Sequence, residues 1–157
     1  MSFTRFLSVY AVTLPVFFAI DLVWLGVVAK SFYRQHLGHL LADQVNWPAA
    51  ILFYLVFIAG IVFFAVKPAL EVNSAARALT YGALFGFITY ATYDLTNHAT
   101  MRDWPAIVTV VDLAWETVLS ASVAYLSNQV SSRIWSSPSS LSRGHDTPVL
   151  LGSGPGV

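Results

Sequence analysis

Four long apolar segments dominate the sequence and limit the folds that the chain can adopt. They cover about residues 6–29, 48–66, 78–97 and 105–126, or roughly 19–24 residues each, and about 20 residues suffice to cross the hydrocarbon core of a bilayer. Lipid offers no partners for open backbone groups, so helices are the expected form of these segments. The sequence therefore predicts an all-α polytopic membrane protein, with a bundle of four transmembrane helices in a single domain, residues 1–130.

The composition agrees with this class and excludes several others. Hydrophobic residues make up 57% of the chain and charged residues 10%, whereas soluble domains contain about 25% charged residues. The formal net charge is zero, so no basic surface and no nucleic-acid partner are expected. The absence of cysteine excludes disulfides, thiolate metal sites and cysteine nucleophiles.

The segments between and after the helices carry further signals. Residues 30–48 form the longest connection, which is amphipathic enough for a short helix lying at the membrane interface. The dipeptides Trp47-Pro48 and Trp104-Pro105 open the second and fourth helices, with each tryptophan in the interfacial belt. Residues 131–157 are rich in Ser, Gly and Pro, and a disordered tail is predicted for them.

The distribution of basic residues predicts the orientation in the membrane. Cytoplasmic connections carry an excess of Lys and Arg. An N-terminus in the cytoplasm gives that side a small excess, and we therefore expect a bacterial inner-membrane protein with both termini cytoplasmic. Such a small excess is also compatible with a homodimer of dual topology. The basic residues on the cytoplasmic side would be Arg5, Lys67, Arg77, Arg133 and Arg143, against Lys30, Arg34 and Arg102 on the other side.

Three aspartates interrupt the apolar segments at a similar depth. Asp21 precedes Lys30 by nine residues, Asp94 precedes Arg102 by eight, and Asp112 follows Asp103 by nine. At a rise of about 1.5 Å per residue, each lies roughly 12–14 Å inside the same membrane face. A carboxylate at a helix centre costs about 2.5–3.5 kcal/mol on insertion scales, so the three should face one another or water. They are the candidate catalytic residues.

Helical spacing indicates which side chains accompany the aspartates. Residues three or four positions apart share a helix face, and the faces that carry the aspartates are rich in aromatic and polar groups. The predicted site is thus an intramembrane acid and aromatic pocket that opens towards the first and third connections. Its candidate binding residues are Asn97, Trp24, Trp115, Tyr90, Tyr93, His98 and Glu116.

Simpler interpretations apply to each of these residues. The aspartates could act only as polar contacts between helices, the tryptophans could serve packing, and His98 could lie at the membrane surface. Oxygen ligands would suit a hard cation, but histidines at metal-ligand spacing next to acids are missing from the sequence. No metal site is predicted and no cofactor is indicated.

The motifs "YDLTNHATMRDWP" and "VDLAWETVLS", together with "DLVWLG" in the first helix, resemble a known family. The chain is similar over about residues 5–130 to the predicted membrane proteins of domain of unknown function 2177 (DUF2177). The resemblance implies a small bacterial polytopic membrane protein and no particular activity. In that family a small residue, commonly Gly, follows the tryptophan where this chain has Glu116, and Glu116 therefore ranks below the aspartates.

Three functions from different classes are compatible with these residues. In the first, the pocket binds or chemically converts a hydrophobic or cationic small molecule, with the acids moving protons as in general acid–base catalysis. In the second, the protein is a proton-coupled transporter of a small molecule or cation. In the third, it is a non-catalytic membrane scaffold. Membrane lipid is the expected partner in all three cases.

Overall fold

The computed structural model describes residues 1–135, which form a bundle of four long helices. By length and composition α1 (Phe3–Leu37), α2 (Trp47–Glu71) and α4 (Ala106–Trp135) could each cross a membrane. The remaining helix, α3 (Ala75–Thr100), has 26 residues and is also longer than a bilayer crossing requires. Within residues 1–135 there is no β-strand. The prediction of an all-α membrane bundle is confirmed.

Helix α1 does not end near Ala29 but continues to Leu37 through a π-helical turn at Leu25–Ala29. The first part of the predicted connection 30–48 is therefore an extension of α1 rather than a separate interfacial helix. A π turn holds one residue more than a turn of regular α-helix, which changes the face that the following residues present. Beyond this turn Leu37 is buried and Tyr33 is partly buried.

Helix α2 begins with a side-chain cap and contains a second π turn. The Asn46 side chain accepts a hydrogen bond from the backbone N–H of Ala49 at 3.3 Å, and Pro48 occupies the first turn. The π turn at Val62–Val66 lies directly before Lys67-Pro68. Proline lacks an N–H and collides with the carbonyl four residues earlier, so a locally wider turn lets α2 continue to Glu71.

Helices α3 and α4 pack with their backbones in close contact. A Cβ atom at Gly82 would lie 2.5 Å from the carbonyl oxygen of Ser120, and one at Gly86 would collide with the carbonyl of Glu116. Small residues four positions apart allow this approach between membrane helices. The contact fixes the backbone of Glu116 against α3, next to the residues described below as the site.

The two ends of the bundle are defined by contacts between segments distant in sequence. At one end Leu37 packs with Trp104 and Val108, which joins the end of α1 to the connection between α3 and α4. At the other end the amino group of Met1 lies 3.5 Å from Glu71. The connections that follow α1 and α3 therefore lie at the same end of the bundle.

The C-terminal part of α4 corrects the predicted limit of the tail. Residues 131–135 are helical, because Ser131 is buried in the bundle and the Arg5 guanidinium lies 5.3 Å from the ring of Trp135. The rest of the predicted tail, 136–157, lies outside the described residues.

The packed core occupies the half of the bundle that contains the N-terminus and the end of α2. Its buried side chains come from all four helices and are mainly apolar. Polar groups are also buried in this half: the Thr13 hydroxyl donates to the carbonyl of Val9 at 2.8 Å, and Ser127, Asn128 and Ser131 of α4 are buried as well. The other half of the bundle is less filled. The core residues include Val9, Phe17, Ile58, Ile61, Val62, Val66, Leu119 and Val123.

Candidate functional site

A cavity of about 560 Å³ lies in the half of the bundle near the connections that follow α1 and α3. All four helices contribute to its wall, which combines carboxyl groups with aromatic rings and, among the residues that the structure describes, contains no Lys, Arg or His. Its acidic members are Asp21, Asp112 and Glu116, and its aromatic members are Phe17, Trp24, Tyr33, Phe53, Tyr54, Phe57, Tyr90, Tyr93, Trp104 and Trp115.

Asp112 is held in the wall of the cavity by a tyrosine from the extension of α1. The hydroxyl of Tyr33 donates a short hydrogen bond to Oδ1 of Asp112, whose residue is only 5% exposed. The π turn at Leu25–Ala29 precedes Tyr33, so the local change of helix face helps direct this side chain towards α4.

Asp21 lies against aromatic groups from α2 and α4. The hydroxyl of Tyr54 donates to Oδ2 of Asp21 at 3.3 Å, and the indole of Trp115 lies beside the same carboxyl group. The Trp115 ring stacks on Trp24, with centroids 4.3 Å apart and planes 9° apart. Its Nε1–H is buried beside the Asp21 carboxyl group. One indole donor and one stacked aromatic pair thus face the cavity.

Glu116 is as deeply enclosed as the other two acids of the cavity wall. It is 5% exposed, and the Tyr90 hydroxyl from α3 lies next to its carboxyl group. Its Oε2 atom is buried, and no hydrogen-bond partner for it is found among residues 1–135. The charges of Asp21 and Asp112 act on Glu116, so the three acids form one electrostatic group.

Asp94 belongs to the same acidic group but does not line the cavity. Its side chain is fully buried, and neither carboxyl oxygen has a hydrogen-bond partner among the described residues. It is close enough to Asp112 and Glu116 for their charges to interact. The predicted acids are therefore brought together from α1, α3 and α4, and none of them is exposed on the outer surface.

The remaining predicted site residues are only partly assembled around the cavity. Trp24, Tyr90 and Trp115 line it, and Tyr93 stands at its edge with 56% of its surface exposed. Asn97 is half-buried beside Tyr93, outside the cavity wall. His98 is exposed one position further along α3 and is not part of the wall.

Tyr33 and Trp104 are among the wall residues that the sequence-based prediction of the site does not include. Tyr33 was overlooked because the first helix was expected to end at Ala29, although no helix-breaking residue separates them. Trp104 was expected at the membrane interface, but it is buried and its Nε1–H donates to Oγ1 of Thr109 at 3.0 Å. The spacing of Trp104 and Thr109 across the start of α4 was the signal that could have indicated this contact.

In the part of the chain that the structure describes, no group of three His, Asp or Glu side chains is arranged to hold a metal ion. The cavity is instead suited to a ligand that meets carboxyl groups and aromatic faces together. Carboxyl oxygens and ring faces both attract positive charge.

The fold and the cavity define a helical membrane protein whose bundle contains a cavity lined by acidic and aromatic side chains. The family described as predicted membrane protein (DUF2177) matches residues 6–128, and the chain belongs to this family. None of the curated proteins and none of the solved structures compared with the chain matches it.

Proposed function

We propose that the protein binds a small molecule with an organic cation, of the ammonium class, in the cavity between its four helices. The observation that carries this proposal is the wall itself: three carboxyl groups and a majority of aromatic rings, without any basic side chain. Acid–base conversion of the bound molecule would use the same carboxyl groups.

The physical reason is the complementarity between an ammonium group and this wall. Ring faces of Trp and Tyr attract an organic cation through their quadrupoles, and quaternary ammonium groups are recognised by aromatic cages. Carboxyl groups that crowd one site of low dielectric repel one another when ionised, and a cation between them relieves this repulsion. The stacked Trp24–Trp115 pair supplies a rigid aromatic face beside Asp21.

We further propose that all four helices cross a bacterial inner membrane, with both termini in the cytoplasm. The pairing of Met1 with Glu71 at one end supports a common side for the N-terminus and the end of α2. The cavity would then lie in the half of the membrane remote from the cytoplasm.

Binding of benzyltrimethylammonium to the purified protein in lipid nanodiscs tests the proposal. We expect saturable binding that Glu116→Gln weakens about thirtyfold or more, because removing one partner of a buried charge pair costs about 2 kcal/mol or more. Asp43→Asn is the matched control, since it removes one exposed acid from the connection after α1 and should leave the affinity unchanged. Absence of saturable binding would contradict the proposal and favour the alternative that the protein is a non-catalytic membrane scaffold.

Proton-coupled transport is a second candidate, favoured specifically by Asp94. A buried carboxyl group that has no hydrogen-bond partner among residues 1–135, and whose charge interacts with the cavity acids from outside the cavity, is suited to carrying a proton rather than holding a ligand. Transport would appear as accumulation of benzyltrimethylammonium in proteoliposomes under a pH gradient. Loss of this accumulation in Asp94→Asn, with binding retained, would support it, whereas no accumulation by the wild-type protein would exclude it.

A further inference from the structure

A second depression in the surface continues the cavity outwards between α2 and α3. This groove has a volume of about 550 Å³ and is almost entirely apolar. Phe53, Phe57 and Thr89 line both the cavity and the groove, so the two spaces adjoin at these side chains. The groove then extends past Gly60 to Phe64.

We propose that the groove holds the hydrocarbon chain of a membrane amphiphile whose ammonium headgroup lies in the acidic cavity. This inference rests on the proposed function, because it takes the cavity as the site of the cation. It adds the chemical class of the ligand, a long-chain ammonium compound, and the route by which the ligand arrives.

The chemistry of the groove favours a hydrocarbon over a polar occupant. Among the described residues that line it, Thr89 alone carries a hydroxyl, which already donates to the carbonyl of Phe85 at 2.8 Å. From Phe53 to Phe64 the groove follows α2 for eleven residues, or roughly 16 Å at the rise of a helix. It therefore offers a long apolar channel at one end of which the charged wall begins.

The position of the groove indicates entry from the bilayer. Val56 and Phe64 are 62% and 59% exposed on the outer face of α2, where the surrounding medium of a membrane protein is lipid. An amphiphile could slide from lipid into the groove without carrying its chain through water. At Gly60 the ring of Phe85 packs so closely on the α2 backbone that an added Cβ atom would lie 2.5 Å from it, and this ring forms the wall at the middle of the groove.

Photolabelling in phosphatidylcholine nanodiscs tests this inference. The probe is an alkyltrimethylammonium ion with a photoreactive diazirine at the end of its chain. We expect cross-links concentrated on the groove residues of α2 and α3, suppressed by an excess of the unlabelled compound. Because the headgroup anchors the chain, Glu116→Gln should reduce this labelling about tenfold or more.

Two variants of α2 show whether the hydrocarbon chain of the probe occupies the groove itself. Val56→Trp fills the groove and should lower the labelling of α3 severalfold, while Ile51→Trp, a similarly exposed position outside the groove, should not. Both variants should bind benzyltrimethylammonium like the wild type, which shows that they fold.

The possible results separate this inference from the proposed function. Labels spread evenly over the lipid-facing residues, or found on a second copy of the chain, would overturn the inference while binding of benzyltrimethylammonium persists. If Glu116→Gln does not reduce labelling of the groove, the hydrocarbon chain enters the groove without its headgroup in the cavity, as the chain of an ordinary bilayer lipid would. That result would also overturn the inference. If neither compound binds saturably, the proposed function itself fails.

Discussion

At the scale of single residues, the site is organised by tyrosine hydroxyls that come from one helix and meet acids on another. Tyr33 of α1 meets Asp112 of α4, and Tyr54 of α2 meets Asp21 of α1. A buried acceptor left without its donor costs about 1–3 kcal/mol, so these contacts hold the carboxyl groups in place as well as linking the helices. Oε2 of Glu116 and both carboxyl oxygens of Asp94 have no such donor within residues 1–135.

Tyr33→Phe tests this role of the hydroxyls. The variant leaves Oδ1 of Asp112 buried without its donor, and we expect the free energy of unfolding to fall by about 1–3 kcal/mol. Denaturant unfolding in detergent measures the change. Tyr125→Phe, at an exposed position of α4, is the control and should stay within about 0.5 kcal/mol of the wild type. Equal stability of both variants would show that the Tyr33 contact contributes nothing.

At the scale of the helices, the site depends on how closely α3 and α4 approach. Gly86 lies opposite the carbonyl of Glu116, so its missing side chain sets the position of that acid. The glycine spacing at 82 and 86 is visible in the sequence, but which helix it meets follows only from the tertiary structure. The common depth of the three aspartates could be predicted from the helix rise, because the distance of each aspartate from the end of its own segment is a local property of the sequence.

The course of α1 shows where prediction from sequence fails. Periodicity and hydropathy locate the apolar segment, but they do not reveal the π turn that carries the helix on to Leu37. The two Trp-Pro dipeptides look equivalent in sequence, yet Trp47 is 67% exposed and Trp104 only 9% exposed. The difference comes from long-range packing of Trp104 with Leu37, which local pattern does not encode.

Gly86→Ala tests the close approach of the two helices. The added methyl group would collide with backbone atoms that cannot rotate away, so we expect a loss of about 1–3 kcal/mol in the free energy of unfolding. The matched control is Gly26→Ala, whose added methyl group would meet no other atom within 4 Å. A Gly86→Ala variant as stable as the control would contradict the described packing.

At the scale of the whole molecule, the bundle combines a packed half with a half that contains the cavity. The packed half is filled by fully buried side chains such as Ile58, Ile61 and Val123. At the end of the cavity half, Leu37, Trp104 and Val108 pack together. This asymmetry places the proposed ligand site nearer to one end of the bundle than to the other.

Cysteine labelling tests the arrangement of the bundle in the membrane. The chain has no cysteine, so Arg34→Cys and Arg102→Cys can be made singly without background. Both positions lie at the cavity end, near the ends of α1 and α3, and we expect an impermeant thiol reagent to label both from the same side of intact vesicles. Glu71→Cys, at the other end of the bundle, should be labelled only from the opposite side. Labelling of the two arginine positions from opposite sides would contradict the arrangement.

The central claim is that acids from different helices form one site for one cation, and a double-mutant cycle tests it most directly. Asp21 of α1 and Glu116 of α4 face the same cavity, and their charges interact. The measurement is the affinity for benzyltrimethylammonium of Asp21→Asn, Glu116→Gln and the double variant. We predict that each single variant binds more weakly and that the two effects are non-additive by about 0.5–3 kcal/mol, as for groups that share a partner. Strictly additive effects, or an affinity unchanged by Asp21→Asn, would contradict the account.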